Sequence, residues 1–496
     1  MRMRKKIVAV ILLTSLSIGL IFGIVMLMRY DDPLTIAARN VDTITMNIVY
    51  DEATQSLAIN QRVDFRNRTP SPKSELKFHI FANAFREGAA HPPVAPHEIR
   101  TAFLNGVQSF GRIDISHVFV NGQPVDVVLG GEDENVLVVS VELGVNETAR
   151  VDIDYVVHLA NIAHRLGWTD RVVNLGNFYP VPVIKQDGAW KTNVYSYNGD
   201  PFFNALHNFD VTIRKPKAMI LASSGKRLRE STSGNYRTTR VQSQAIRDWA
   251  AVLSRDFSVT SRMVNRVAVH YFYLDDANPL RSLETSVRSL ETFSRLFVQY
   301  PYRQLTVVQT DFLHGGMEFG EIVFISSTIT EREEIDRVII HEIAHQWWYG
   351  IIGNDQFRHA WIDEGLAEFS TLLFFDENPD MAPKPRNYWI NMFRTNFATF
   401  STIVTSLGGT VNITMNRDLT AFKSQIEYVY MAYIRGMLLF SDLERIIGRY
   451  QMLVSLRNLA QENKFGIVTP EILVQTFEST TNFHLAMFFT SYTNSF

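Results

Sequence analysis

The stretch from His341 to Glu364, HEIAHQWWYGIIGNDQFRHAWIDE, constrains this chain more than any other. Just upstream, Ile335, Val338, Ile339 and Ile343 recur at helical spacing, and Thr330 followed three residues later by Glu333 predicts a capped helix start. On such a helix His341 and His345 lie on one face, one turn apart. Two neutral imidazoles so placed can share a zinc ion at about 2.0–2.1 Å each. Glu342 sits roughly 100° round the helix. It is turned away from the pair, yet it can reach a water held at the metal's open position. A zinc centre that does chemistry keeps three protein ligands and one open position. Glu364, nineteen residues after His345, is the candidate third ligand. It falls in WIDEGLAEF, where apolar Trp361, Leu366 and Phe369 and polar Glu364 and Glu368 fit a second helix. A histidine pair at this spacing also occurs on ordinary amphipathic helices, so the weight rests on the combination.

HEIAHQWWYG followed by WIDEGLAEF resembles the aminopeptidase N family of zinc metallopeptidases, in the gluzincin group. That family shows H-E-x-x-H, eighteen residues, then Glu, usually inside W-L-N-E-G; here the spacing matches and Asp363 stands where Asn is usual. The resemblance implies one zinc ion per chain, with His341, His345 and Glu364 as ligands and Glu342 as general base. The family also carries a G-A-M-E-N segment whose Glu binds the free α-amine of a peptide substrate. The corresponding segment is Gly315-Gly316-Met317-Glu318-Phe319, which retains Glu318 and replaces Ala and Asn. A fixed carboxylate beside the metal would pair with an N-terminal ammonium and set exopeptidase register. A third mark is a Tyr in Y-x-K-G-A that stabilises the oxyanion. Tyr433-Ile434-Arg435-Gly436-Met437 matches best, with Tyr428 and Tyr430 as competitors. A phenol suits that task because it is a neutral donor toward developing negative charge.

Asp363 and Glu368 are both candidates to orient a ligand histidine from behind. His314 and His359 flank the proposed site, but an isolated histidine is more often a packing or hydrogen-bonding residue. Trp347 and Trp348 are expected to pack the histidine helix. The chain has no cysteine, so disulfides and thiolate ligands are excluded and a metal must be held by imidazoles and carboxylates.

The N-terminus carries a second signal. MRMRKK is followed by residues 7–28 without a charge. As a helix these would span about 33 Å, enough for a bilayer core of about 30 Å. The run is longer than the apolar part of a cleaved leader and lacks a small-residue exit site. The expectation is an uncleaved single-pass anchor in the cell membrane, with the N-terminus cytoplasmic and the rest outside. Without those four basic side chains the net charge of −3 becomes −7, which offers nothing to nucleic acid.

With 496 residues, of which 46% are hydrophobic and 20% charged, the chain has core enough for two or three domains. Alternation at Ile44, Met46, Ile48 and Tyr50, at Val63 and Phe65, and at Leu76, Phe78 and Ile80 predicts strands. So do Val139, Val141 and Leu143, then Val151, Ile153 and Tyr155, then Phe209, Val211 and Ile213. Asn121-Gly122 and Gly130-Gly131 mark turns. The expected architecture is multidomain α+β. Residues 1–29 form a basic leader and transmembrane helix, and 30–245 an antiparallel β-sandwich or saddle domain. Residues 246–496 form, by the resemblance, a thermolysin-like catalytic domain with C-terminal helices. Thr469-Pro470-Glu471 reads as a helix start within that tail. The function expected is a membrane-anchored zinc aminopeptidase. Its rivals are a zinc endopeptidase or other hydrolase of the same fold, and a catalytically inert, membrane-tethered binding or sensor protein.

Overall fold

Strand-forming alternation in the first half of the chain becomes a two-layered β structure. A computed structural model describes residues 32–103 and 106–493. The expected membrane span, residues 7–28, lies outside the described residues. Among the described residues no helix is long and apolar enough to cross a membrane.

An eight-stranded sheet is built in the order Lys226–Ser233, Tyr236–Ile246, His207–Pro216, Asp42–Asp51, Ser56–Arg66, Thr148–His158, Arg112–Val120 and Gln123–Pro124. In strand Asp42–Asp51 the side chains of Ile44, Met46, Ile48 and Tyr50 are buried while Asn47 and Val49 are exposed, so one face is apolar. That face shares a core with Leu76, Phe78, Leu137 and Val139 of a second sheet containing Lys73–His79 and Val136–Leu143. Asn121 and Gly122 both adopt positive φ, the conformation a two-residue hairpin turn requires. The expectation of a purely antiparallel domain needs correction. His207–Pro216 returns to lie parallel to Asp42–Asp51, Ile44 opposite Phe209 and Ile48 opposite Ile213. A parallel pair needs a long excursion between its strands. The more than 150 residues separating these two supply one, and alternation within a strand does not encode its partner's direction.

Ala251–Ser254 belongs to a third, four-stranded sheet with Ile220–Ser223, Val172–Leu175 and Leu166–Trp168, and Ser258–Val264 opens a five-stranded one. Its order is Ser258–Val264, Val267–Tyr273, Gln304–Thr310, Ile322–Ser326 and Gly316–Met317. The short edge strand carries the Gly315–Phe319 segment, with Gly316 opposite Ile325 and Met317 opposite Phe324. Helix Pro279–Leu296 buries Leu283, Val287, Leu290 and Phe293 against this sheet and against the helix that carries both histidines. Its Thr285 hydroxyl donates to Asp336 at 2.6 Å and Arg281 donates to the same carboxylate at 3.1 Å, which fixes the two helices against each other.

Thr469 caps helix Pro470–Thr481 through the Ile472 N–H, with Pro470 in its first turn, as the sequence predicts. The expected cap at Thr330 does not form. The histidine helix runs Arg332–Ala344 from Glu331, and no side chain caps it. Its start is fixed instead by Arg332, which donates to Asp336 one turn on at 2.9 Å and to the Ser282 hydroxyl at 3.0 Å.

Candidate active site

The histidine helix is wrapped by protein, with nine of its thirteen residues buried, among them Ile335, Ile339 and Ile343. Polar groups at its C-terminal end are therefore held in a medium that penalises unpaired charge. His341 lies in the last turn and His345 is the residue that ends the helix. Glu364 enters from the first turn of helix Trp361–Glu377. The Nε2 atoms of the two histidines are 3.1 Å apart, and Glu364 Oε2 lies 3.3 Å from one and 3.2 Å from the other. Tetrahedral donors at about 2.0–2.1 Å from a centre stand about 3.3 Å from one another, so this triangle has the size a zinc ion demands. Glu364 Oε2 is buried and makes no hydrogen bond, although two ring nitrogens face it. Burial would lower the His341 pKa, but Glu364 and Glu368 outweigh it and raise it to about 9. Burial would likewise raise Glu364, and His345 and His341 pull it down to about 2. The three groups thus call for positive charge between them, which a divalent cation supplies while displacing the ring protons.

A second set of donors, from Glu318, His345 and Asp363, also lies within 4.8 Å. It suits a metal less well. Gln356 donates through Nε2 to Glu318 at 2.7 Å and to Asp363 at 2.8 Å, and Asn354 donates to Asp363 at 3.0 Å. His345 Nδ1 stands 3.2 Å from the Trp348 carbonyl oxygen, which leaves its Nε2 for the first triangle. Of the two carboxylates expected behind a ligand, Glu368 reaches His341 Nδ1, at 3.3 Å. Asp363 instead belongs to the Gln356 network. Arg337, one turn before His341, donates to Glu368 at 2.9 Å and to both oxygens of Glu334. Gln356, Asn354 and Arg337 gave no sign in the sequence; only the fold brings them here.

Of the three candidate tyrosines, Tyr433 donates to Glu364 Oε1 at 2.6 Å and its ring stacks on His341. Tyr428 stands at 3.4 Å from the same oxygen, whereas Tyr430 turns away to stack on Phe400. Burial and Glu364 hold the Tyr433 phenol well above its ordinary pKa, so it stays a neutral donor. Tyr433 lies in a π-helical turn, Val429–Arg435, a form that recurs at functional sites. Directly after it Gly436 meets Gly365, the residue after Glu364. A Cβ on Gly365 would stand 2.9 Å from the Gly436 Cα. Only glycine at both positions lets the two helices come close enough for Tyr433 to reach Glu364.

Glu342 points the other way, against the edge strand. A Cβ on Gly316 would lie 2.3 Å from its Oε1, so glycine at 316 makes room for the carboxylate. Burial pushes Glu342 up to about 7, partly offset by His341 and His345. Glu318 is 3% exposed, and burial followed by the Asp200 charge holds its pKa well above the ordinary value. His341, Glu342, Glu368 and Tyr433 border one cavity of about 490 Å³, the usual size of a small-ligand site. Gly315, Gly316 and Met317 line it, as does His314, whose Nδ1 stands 3.2 Å from Gln425 Nε2. His359 pairs with Asn416 instead. Trp347 and Trp348 pack, their indoles donating to the Val298 carbonyl at 2.7 Å and the Ser370 hydroxyl at 2.8 Å.

Two histidines from one helix and a glutamate from the next, with a second glutamate between the histidines, define a zinc metallopeptidase centre of the gluzincin kind. Comparison with known proteins agrees. Residues 281–492 match the peptidase family M1 domain. Aminopeptidase M1-B of Oryza sativa subsp. japonica is 24% identical over 328 residues, which are 62% of this chain and 37% of that protein. Endoplasmic reticulum aminopeptidase 2 of Homo sapiens is 26% identical over 196 residues, 35% of this chain and 20% of that protein. This chain thus spans well under half the length of those relatives. Among solved structures, the M1 zinc metallopeptidase from Deinococcus radiodurans has the same fold. The TM-score is 0.63 at 14% identity, covering 91% of this chain and 92% of that one. Residues 281–492 are thus similar to the peptidase family M1 domain, and His341, His345 and Glu364 fit a zinc site.

Proposed function

We propose that the chain is a zinc aminopeptidase that removes residues one at a time from the free N-terminus of peptides. The observation that carries this reading is Glu318. It is a buried carboxylate at the end of the edge strand, beside His345, and Gln356 holds it at 2.7 Å. A peptide extended along the open edge Gly316–Met317 would add a strand to the sheet and bring its ammonium to that carboxylate. Its first carbonyl would then lie at the triangle of His341, His345 and Glu364. A zinc ion held by those three side chains would supply Lewis-acid polarisation of the carbonyl and acidify water at the site. Glu342 is the group placed to take a proton from the attacking water and pass it to the departing amine. Tyr433 donates its hydroxyl to the carbonyl oxygen as negative charge builds there. Glu368, backed by Arg337, keeps the His341 ring in register.

Cleavage of matched peptides with free and acetylated N-termini tests the reading. The free peptide should be cut and the acetylated one spared; equal cleavage of both would remove Glu318 from its role and favour an endopeptidase. The uncharged run of residues 7–28 supports a single-pass anchor in the cell membrane with the catalytic part outside the cytoplasm. The full chain should then stay with the membrane fraction through carbonate washing and leave it only in detergent. Release by carbonate would rule the anchor out.

A further inference from the structure

The geometry of the cleft also points to what the enzyme prefers after the scissile bond; this rests on the aminopeptidase reading. Glu318 lies on the His345 side of the metal triangle. Glu368 lies on the His341 side, and Arg337 one turn further along the histidine helix. A peptide whose ammonium is at Glu318 and whose first carbonyl is at the triangle must therefore send its second residue past His341 toward Arg337. There the cavity is walled by Val338 and Met437 and roofed by Trp389, Met392 and Phe393 from helix Arg386–Ser406. The helix is held at its start by Arg386, paired with Asp376 and Glu444 and set over the Phe369 ring beside Glu368, and further on by Phe400 stacked on Tyr430 at 4.3 Å and Arg394 paired with Asp442. This sets its first turns over the Glu368 end of the site. Arg337, the cation among the described residues lining this end, is committed to Glu334 and Glu368, so it is not available to a substrate carboxylate. The Trp389 indole N–H is buried without a partner and is a donor in reserve for a peptide carbonyl.

We infer that the first turns of helix Arg386–Ser406 form the pocket for the residue after the scissile bond, and that the enzyme selects peptides with a large apolar residue in second position. The test is a series of tripeptides alike except for Leu, Phe, Gly, Asp or Lys in second place, hydrolysed by the full zinc-loaded chain. Leu and Phe should exceed Gly, Asp and Lys in kcat/KM by about tenfold to a hundredfold, the usual discrimination of an apolar pocket. Trp389→Ala and Phe393→Ala should bring the Leu-to-Gly ratio close to one, and Phe393→Leu, which keeps the wall apolar, should retain it. Zinc content and thermal unfolding of each variant exclude collapse of the site. Equal rates across the series, a preference for Asp or Lys, or an undiminished ratio in both alanine variants would overturn the inference while leaving the aminopeptidase reading intact. Failure to cut any of the free peptides would remove both.

Discussion

Two helices border the same cleft and are held on opposite terms. Arg332–Ala344, with the histidines, has nine of thirteen residues buried; Arg386–Ser406, which roofs the cavity, has none of its twenty-one buried. The first must hold donor atoms in place to a fraction of an ångström, and dense packing provides that. The second, which by our inference faces the substrate side chain, is held from its surface, by ion pairs from Arg386 and Arg394 and by the Arg435 guanidinium over the Phe397 ring. Rigidity is thus concentrated where the chemistry is invariant, and looser packing where the substrate varies.

The sharpest way to break this comparison is Glu342→Gln. It keeps the packing of the histidine helix and removes the proton acceptor, so kcat should fall by about 10²–10⁴-fold with zinc content and Tm unchanged. Full retained activity would mean another group is the base. Next in size is a pair of truncations compared by denaturant unfolding. Ile339→Ala, on the buried helix, should cost about 2–5 kcal/mol. Phe400→Ala, on the roof, should cost about 1 kcal/mol, the worth of its stacking on Tyr430. Equal costs would erase the contrast. Gly365→Ala forces a Cβ against Gly436; helix separation should cost about 1–3 kcal/mol and lower kcat by pulling Tyr433 from Glu364. The smallest effect concerns pH. Burial pushes the Glu321 carboxyl from 4.5 up to about 8. A raised folded-state pKa gives stability that is complete below the unfolded value and drains away as pH climbs through the folded one. Wild-type Tm should therefore fall as pH rises from about 4.5 to about 8 and level off beyond, and Glu321→Gln should flatten that fall; identical curves would show that Glu321 does not titrate there.

Much of the site was legible because its chemistry fixes sequence spacing. His341, Glu342, His345 and Glu364 stand where a helix and its neighbour must put them, and Glu318 sits at the sheet edge. What was not legible depends on distance in sequence. Gln356 couples Glu318 to Asp363 only because a short turn of helix, Gln356–His359, passes behind both. The choice between Tyr428, Tyr430 and Tyr433 turned on π-helical geometry that no residue pattern announces. Likewise the capping box at Thr330 was outcompeted by Arg332 and its contacts, and the parallel strand pairing in the N-terminal sheet joined segments far apart in the chain. Trp389, Met392 and Phe393 were invisible as a group because their helix carries apolar residues on a broad face rather than a narrow stripe.

The measurement that bears most directly on the account is zinc stoichiometry of the purified, chelator-stripped and reloaded chain, alongside His345→Ala. The account predicts one tightly bound zinc ion per chain in the wild type and none in the variant. A wild-type chain that takes up no zinc, or a variant that binds it as tightly, would contradict it.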